Sequence, residues 1–269
     1  MNPPRRQLRR HGSLPVPLLG LAFVAAAFFL LPLVGLVWRA PWSRFIDLVT
    51  GHDVRSALSL SLQCSLAATL LSLLFGLPLA AWLALGQSRL RTSLRVLVTL
   101  PMVLPPVVGG VAMLLAYGRN GIVGAPVDHW FGVALPFTRA GVILAETFVA
   151  MPFFVLTVEG GLRSLDARYG GAAATLGASP WRVFRTVTLP MIAPSLKAGL
   201  LVAWARALGE FGATITFAGN LAGETRTMPL AVYVALETSP DLAIVSSLLL
   251  VVIAACVLFL LRKQWFPSS

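Results

Sequence analysis

The amino-acid sequence predicts an all-α integral membrane protein with six transmembrane helices. Hydrophobic residues fill 57% of its 269 positions and charged residues only 12%, and the mean hydropathy is +0.84. Six apolar stretches recur along the chain, and its basic residues fall unevenly between the loops that join them. A soluble domain of this length needs more charge to cover its surface. A helix crossing the ~30 Å hydrocarbon core needs roughly 20 mostly apolar residues.

The first stretch covers Pro17–Trp38. Arginines precede it as in a signal peptide, but the apolar run is about twice the usual h-region, so it reads as a retained helix. The second stretch lies within residues 56–88, a charge-free run long enough for a tilted helix and a flanking turn. The third, 96–118, contains Pro101, Pro105 and Pro106, which membrane helices tolerate when neighbouring helices satisfy the freed carbonyls. The fourth is 141–162, the fifth 198–219 and the sixth 242–261.

With the amino terminus inside, the cytoplasmic side holds Arg5, Arg6, Arg9, Arg10, Arg89, Arg91, Arg95, Arg163, Arg168, Arg182, Arg185, Lys197, Arg262 and Lys263. The outer side holds Arg39, Arg44, Arg55, Arg119, Arg139 and Arg226, and Arg206 falls within a span. Fourteen against six fits cytoplasmic termini and an even number of spans. The net charge of +11 is thereby a topology signal, and nucleic acid is not an expected partner. Cys64 and Cys256 both lie in apolar stretches and suggest packing residues, not a disulfide framework.

Several chemistries lack their residues. Neither Lys197 nor Lys263 follows a glycine, so a Gly-Lys-Ser/Thr phosphate loop is absent. His11, His52 and His129 are scattered outside the spans, with no HExxH. No G-x-S-x-G nucleophile elbow occurs. The chain is expected to be a permease and not an enzyme, with no cofactor of its own, one membrane domain and no appended soluble domain.

Between the fourth and fifth stretches lies a cytoplasmic loop, residues 162–196, too long for a simple turn. Ser164 or Asp166 can cap a first short helix running to about Leu176, with Gly177 as its C′ residue. Ser179 can cap a second, with Pro180 at its first position; Pro190 closes the element. On that second helix Trp181 and Phe184 share one face, Arg182 and Arg185 another. The pattern suits either a docking element or an amphipathic helix lying on lipid headgroups.

The stretch 171–190, "GAAATLGASPWRVFRTVTLP", resembles the "EAA" loop of ABC importer permeases, whose pattern is E-A-A-x-x-x-G-x9-I-x-L-P. Ala172, Ala173, Gly177, Leu189 and Pro190 match by residue and spacing, and Val187 stands for the isoleucine. The resemblance implies that this loop is the coupling helix docking onto an ATPase subunit. The family's glutamate is Gly171 here, preceded by Gly170, residues that cost about 1 kcal/mol each in a helix interior. Coupling is then expected to lean on Arg182, Arg185 and the Trp181/Phe184 face.

Within the fifth stretch, Arg206 and Glu210 are four residues apart, hence on one helix face and able to pair. Ionisable residues at membrane depth are costly and face a partner or a water-filled path. The pair therefore reads as a packing element, a translocation gate, or both. Thr214, Thr216 and Asn220 offer neutral donors suited to an oxyanion, though the threonines can instead bond their own i−4 carbonyls.

This segment also resembles the molybdate permease subunits of ABC importers, in "RALGEFGATITF" at 206–217 and "GETRTMP" at 223–229. The sulfate permeases share the first part, so Gly223, Glu224, Thr225, Arg226, Thr227 and Pro229 carry the ligand type. The resemblance implies a type I importer permease fold, with residues 58–262 as its core domain and 163–190 as its coupling loop. Residues 1–57 would hold the arm, first helix and first outer loop, and 263–269 a short tail. It further implies a homodimer in the bacterial inner membrane, two ATPase subunits binding ATP-Mg, and an external molybdate-binding protein. Sulfate, thiosulfate or tungstate are alternative cargoes. An ion-coupled carrier or channel using Glu210 as a proton site is the alternative mechanism.

Overall fold

The computed structural model describes residues 15–86 and 88–265. The amino-terminal arginines and the last four residues lie outside them. Among the described residues every regular element is helical. Thirteen α-helices follow in order. They are α1 (Val16–Trp38), α2 (Phe45–Thr50), α3 (His52–Ala84), α4 (Arg89–Val103), α5 (Pro106–Tyr117), α6 (Gly124–Phe131) and α7 (Arg139–Arg163), then α8 (Ala167–Thr175), α9 (Pro180–Met191), α10 (Ala193–Leu208), α11 (Gly212–Phe217), α12 (Met228–Thr238) and α13 (Pro240–Trp265).

Four helices, α1, α3, α7 and α13, are each long and apolar enough to cross a membrane. Two bent pairs bring the total to six spans if each pair counts as one: α4 with α5, and α9 with α10. The third expected segment corresponds to the α4–α5 pair. Of the second pair only α10 falls in the expected fifth segment, since α9 lies in the loop that precedes it, and neither the third nor the fifth is a continuous helix.

The third breaks at its prolines. The axes of α4 and α5 differ by 120°. Leu104 and Pro105 are both extended, with ψ of 138° and 131°, because a residue that precedes proline is disfavoured in the helical region. Two successive X-Pro steps therefore leave two successive non-helical residues. Pro101 stays inside α4; a lone proline costs one hydrogen bond, whereas the consecutive pair redirects the chain. The fifth segment begins earlier than predicted, at Ala193, and stops at Leu208; after Gly209, Glu210 and Phe211 it resumes as the short α11.

The core lies where α3, α7 and α10 meet. Ala68, Ala80, Ala150, Ala203 and Ala207 are buried there around Phe154 and Val158. Lipid is as apolar as these side chains, so close approach and dispersion hold such helices together, and small residues permit the approach. Gly76 of α3 shows how tight it is: a Cβ there would sit 2.8 Å from Cδ1 of Phe154. On the periphery, α1 has no buried residue among its described side chains and packs against α13. Its Leu21, Phe23, Phe28 and Phe29 are exposed, as a lipid-facing helix requires.

Candidate functional site

Two regions contain the residues singled out in the sequence. The loop from α7 to α10 is built by local capping rules. Oδ1 of Asp166 accepts from the Arg168 backbone N–H at 2.9 Å, making Asp166 and not Ser164 the N-cap of α8. The Arg168 guanidinium beside it, at 2.8 Å from Nε to Oδ2, holds the Asp166 carboxyl below the usual carboxylate range. At the other end, Gly177 adopts φ +80°. The N–H of Ala178 donates to Ala173 and that of Gly177 to Ala174, the paired bonds of a Schellman motif. A side chain at the Gly177 position would be strained, which explains a glycine there.

Ser179 then accepts from the Arg182 N–H at 3.4 Å, and Pro180 occupies the first turn of α9. This helix continues through a π-type turn at Phe184–Thr188, with Leu189 and Pro190 inside it. Pro190 lies one residue before the end of this element at Met191, where the chain bends by 71° before Ala193, as a closing proline implies. Trp181 and Phe184 stack with ring centroids 5.9 Å apart. Trp181 is 69% exposed, and Arg182 and Arg185 are exposed beside it. Of the family-pattern residues, Gly171 and Ala172 are exposed and Ala173 half-buried; a Cβ on Gly171 would meet nothing within 4 Å. Behind the loop a cavity of about 870 Å³ opens between Phe184, Val187 and Tyr169 on one side and the ends of α3 and α7 on the other.

The second region centres on Glu210. Its Oε2 lies 2.8 Å from Nη1 of Arg206, an ion-pair distance, without the alignment of a hydrogen bond. Its Oε1 accepts from the Ala213 N–H at 2.9 Å. One carboxylate therefore pairs with α10 and caps α11, spanning the break between them. Glu210 is 1% exposed, so both oxygens need partners. Beyond it, Gly212 packs against Pro106 and Gly110 against Thr216; Cβ atoms there would approach to 2.7 and 2.6 Å. These contacts clamp α11 onto α5.

The candidate path residues divide. Thr216 donates to its own i−4 carbonyl, Gly212, at 2.8 Å. Thr214 is fully buried, and its Oγ1 has no hydrogen-bond partner among the described residues. Oδ1 of Asn220 accepts from Nε of Arg226 at 2.9 Å. The "GETRTMP" segment folds onto itself. Leu221 O accepts from the N–H groups of Glu224, Thr225 and Arg226, and the Leu221 N–H donates to Thr225 Oγ1. Gly223 adopts φ +77°, and its carbonyl accepts from Arg139 at 2.8 Å. Thr227 is buried, the N–H of Met228 donates to Ser61 of α3 at 2.7 Å, and Pro229 lies in the first turn of α12. Here the signature residues join one end each of α7, α3 and α12.

Sequence reasoning passed over two acidic residues of α7. Glu159 accepts from Arg95 of α4 at 2.6 Å and from Arg163 at 2.8 Å. Glu146 is 1% exposed, and its Oε2 has no hydrogen-bond partner among the described residues. The rule that drew attention to Glu210, a charge inside an apolar run, applies equally to both.

A family model described as binding-protein-dependent transport system inner membrane component matches residues 72–266, well over half of the chain. The chain belongs to this family. Similar relatives include the molybdenum transport system permease protein ModB of Mycobacterium tuberculosis, 47% identical over 257 residues that cover 96% of this chain and 94% of that one. The Escherichia coli K12 protein of the same name is 41% identical, covering 78% and 91%. The sulfate transport system permease protein CysT of Salmonella typhimurium is 36% identical, covering 89% and 87%.

Among solved structures, the chain aligns with a bacterial ABC transporter that imports alginate at TM-score 0.70 and 20% identity, covering 94% of both chains. It aligns with the MetNI methionine transporter at TM-score 0.58 and 20% identity, covering 80% and 97%. At such identity these neighbours establish the fold, that of an ABC importer permease. The expected membership and fold class are met: this is a multi-pass inner membrane permease subunit.

Proposed function

We propose that this chain is the membrane-spanning subunit of an ATP-driven importer that carries molybdate inward. The observation that carries the cargo is 41–47% identity to molybdenum permeases over most of the chain. On this reading two copies form the path. Two ATPase subunits binding ATP-Mg dock on the 163–190 loops, an external molybdate-binding protein delivers the anion, and both termini are cytoplasmic. The exposed Trp181 ring, with Arg182 and Arg185 flanking it, supports a protein groove as the partner of α9. A buried aromatic anchor ringed by charge is the usual composition of such contacts.

The break at Glu210 suits the mechanism. A helix continuous through 198–219 would resist bending, whereas α10 and α11 are joined by one carboxylate that can stay bonded while their angle changes. Proteoliposomes holding this chain, its cognate ATPase and its binding protein should accumulate molybdate only with ATP inside and the binding protein outside. Uptake without the ATPase would instead support an ion-coupled carrier. The 36% identity to a sulfate permease makes sulfate the second reading, and preferential sulfate uptake would establish it.

A further inference from the structure

We propose that Arg95 and Glu159 form the joint through which the docking loop moves the bent α4–α5 arm, Glu159 being a positioning residue for transport. This rests on the reading of the chain as an ATP-driven permease. Three elements converge on Glu159. Its Oε1 accepts from Arg95 Nη2 at 2.6 Å and Nε at 2.9 Å, and its Oε2 from Arg95 Nε at 3.2 Å. Arg163, one turn on, donates to Oε1 at 2.8 Å. Both guanidiniums also donate to the carbonyl of Leu83, at 3.3 and 3.1 Å, a last-turn carbonyl of α3 that has no helical partner of its own. The Glu159 side chain is 4% exposed.

The position of the cluster gives it a direction of action. Only Ser164 and Leu165 separate α7 from Asp166, the cap of the docking loop, so the loop pulls almost directly on the turn bearing Glu159 and Arg163. On the other side, Arg95 belongs to α4, which has no buried residue and packs chiefly on α7. A helix without buried side chains is held by few contacts, and a bidentate guanidinium–carboxylate pair fixes both distance and orientation. Past the 120° turn, α5 grips α11 through Gly110 and Thr216, and α11 hangs from Glu210. A displacement at the loop thus has a continuous route to the break in the fifth segment: α7, Glu159, Arg95, α4, α5, α11.

The test uses the complete complex with ATPase and binding protein in proteoliposomes, reading anion uptake and ATP hydrolysis together. Arg95→Gln should keep hydrolysis while lowering uptake per ATP about tenfold, within the range of coupling free energies between sites. Arg95→Lys keeps the charge without the bidentate geometry and should recover part of the ratio. An unchanged ratio in Arg95→Gln overturns the proposal. So does a fall of uptake and hydrolysis in equal proportion, the mark of a merely structural clasp. If Arg95→Gln does not assemble, Arg95→Gln/Glu159→Gln removes the uncompensated carboxylate; failure of that variant to assemble also overturns it. The wild type tests the transport reading separately, because the ratio is taken with whichever oxyanion, molybdate or sulfate, it accumulates.

Discussion

At the scale of single residues, the Arg206–Glu210 pair has two separable functions. The carboxylate neutralises Arg206 through one oxygen and caps α11 through the other. Glu210→Gln keeps an acceptor for the Ala213 N–H but removes the charge, whereas Glu210→Ala removes both. Thermal unfolding in detergent should place Glu210→Ala below Glu210→Gln by about 1 kcal/mol, the usual worth of a cap. Arg206→Ala leaves a buried carboxylate without its cation, and the double alanine variant removes that penalty. The double mutant should therefore lose less stability than the two single losses summed. Strict additivity would mean that the pair is not coupled. The same pair marks how far sequence reading reached. Spacing sufficed to put both charges together, since four residues is one helical turn. The break between α10 and α11 was not legible, because Gly209 and Gly212 suit close packing as readily as a helix end. Only the capping bond to Ala213 distinguishes the two.

At the scale of elements, the loop from α7 to α10, the proposed docking site, follows its sequence closely. Asp166, Gly177, Ser179 and Pro180 each act through short-range geometry, so the residues themselves state where both helices begin and where the first one ends. The π-type turn at Phe184–Thr188 depends on tertiary packing and leaves no such signature. Within α8, Gly171 has open space around its Cβ position. Gly171→Glu should stabilise the helix by about 1 kcal/mol, visible as slower amide exchange across 167–175, with ATPase assembly kept or strengthened. Loss of assembly would show that Gly171 is required for close approach of the partner. The Asp166 cap makes a pH prediction. The folded carboxyl is held below its unfolded value by Arg168, so its contribution is fully present above the ordinary carboxylate range. It fades only as pH falls through the lower folded value. Amide protection of α8 should be flat from pH 8 to 5 and decline at lower pH; in Asp166→Asn that decline should disappear.

At the scale of the whole molecule, the fold divides into a tightly packed unit and an arm. Helices α3, α7 and α10 close around Phe154 with alanines and Gly76 at the contacts. The arm, α4 and α5, turns at Leu104–Pro105 and meets the rest through the Arg95–Glu159 pair and along a seam where Met113 is buried and Gly110 faces Thr216. Composition and charge sufficed to read the class and the apolar segments, because each is a property of a segment alone. Which segments form the packed unit and which the arm depends on pairings between distant segments, and those the sequence left open. The division predicts different consequences for two equally small changes. Gly76→Ala puts a methyl group 2.8 Å from the Phe154 ring inside the packed unit. Overpacking of that kind costs roughly 1–3 kcal/mol, so its melting temperature should fall while uptake per folded complex stays near wild type. Gly110→Ala puts a methyl group 2.6 Å from Thr216 and 3.0 Å from the Ala213 carbonyl, at the seam and beside the Glu210 break. There the methyl should wedge α5 from α11, lowering uptake several-fold per folded complex at a smaller loss of melting temperature. Measuring both quantities on both variants decides the matter: if uptake tracks melting temperature along a single line for the two, the arm and the packed unit move as one body and the division is wrong.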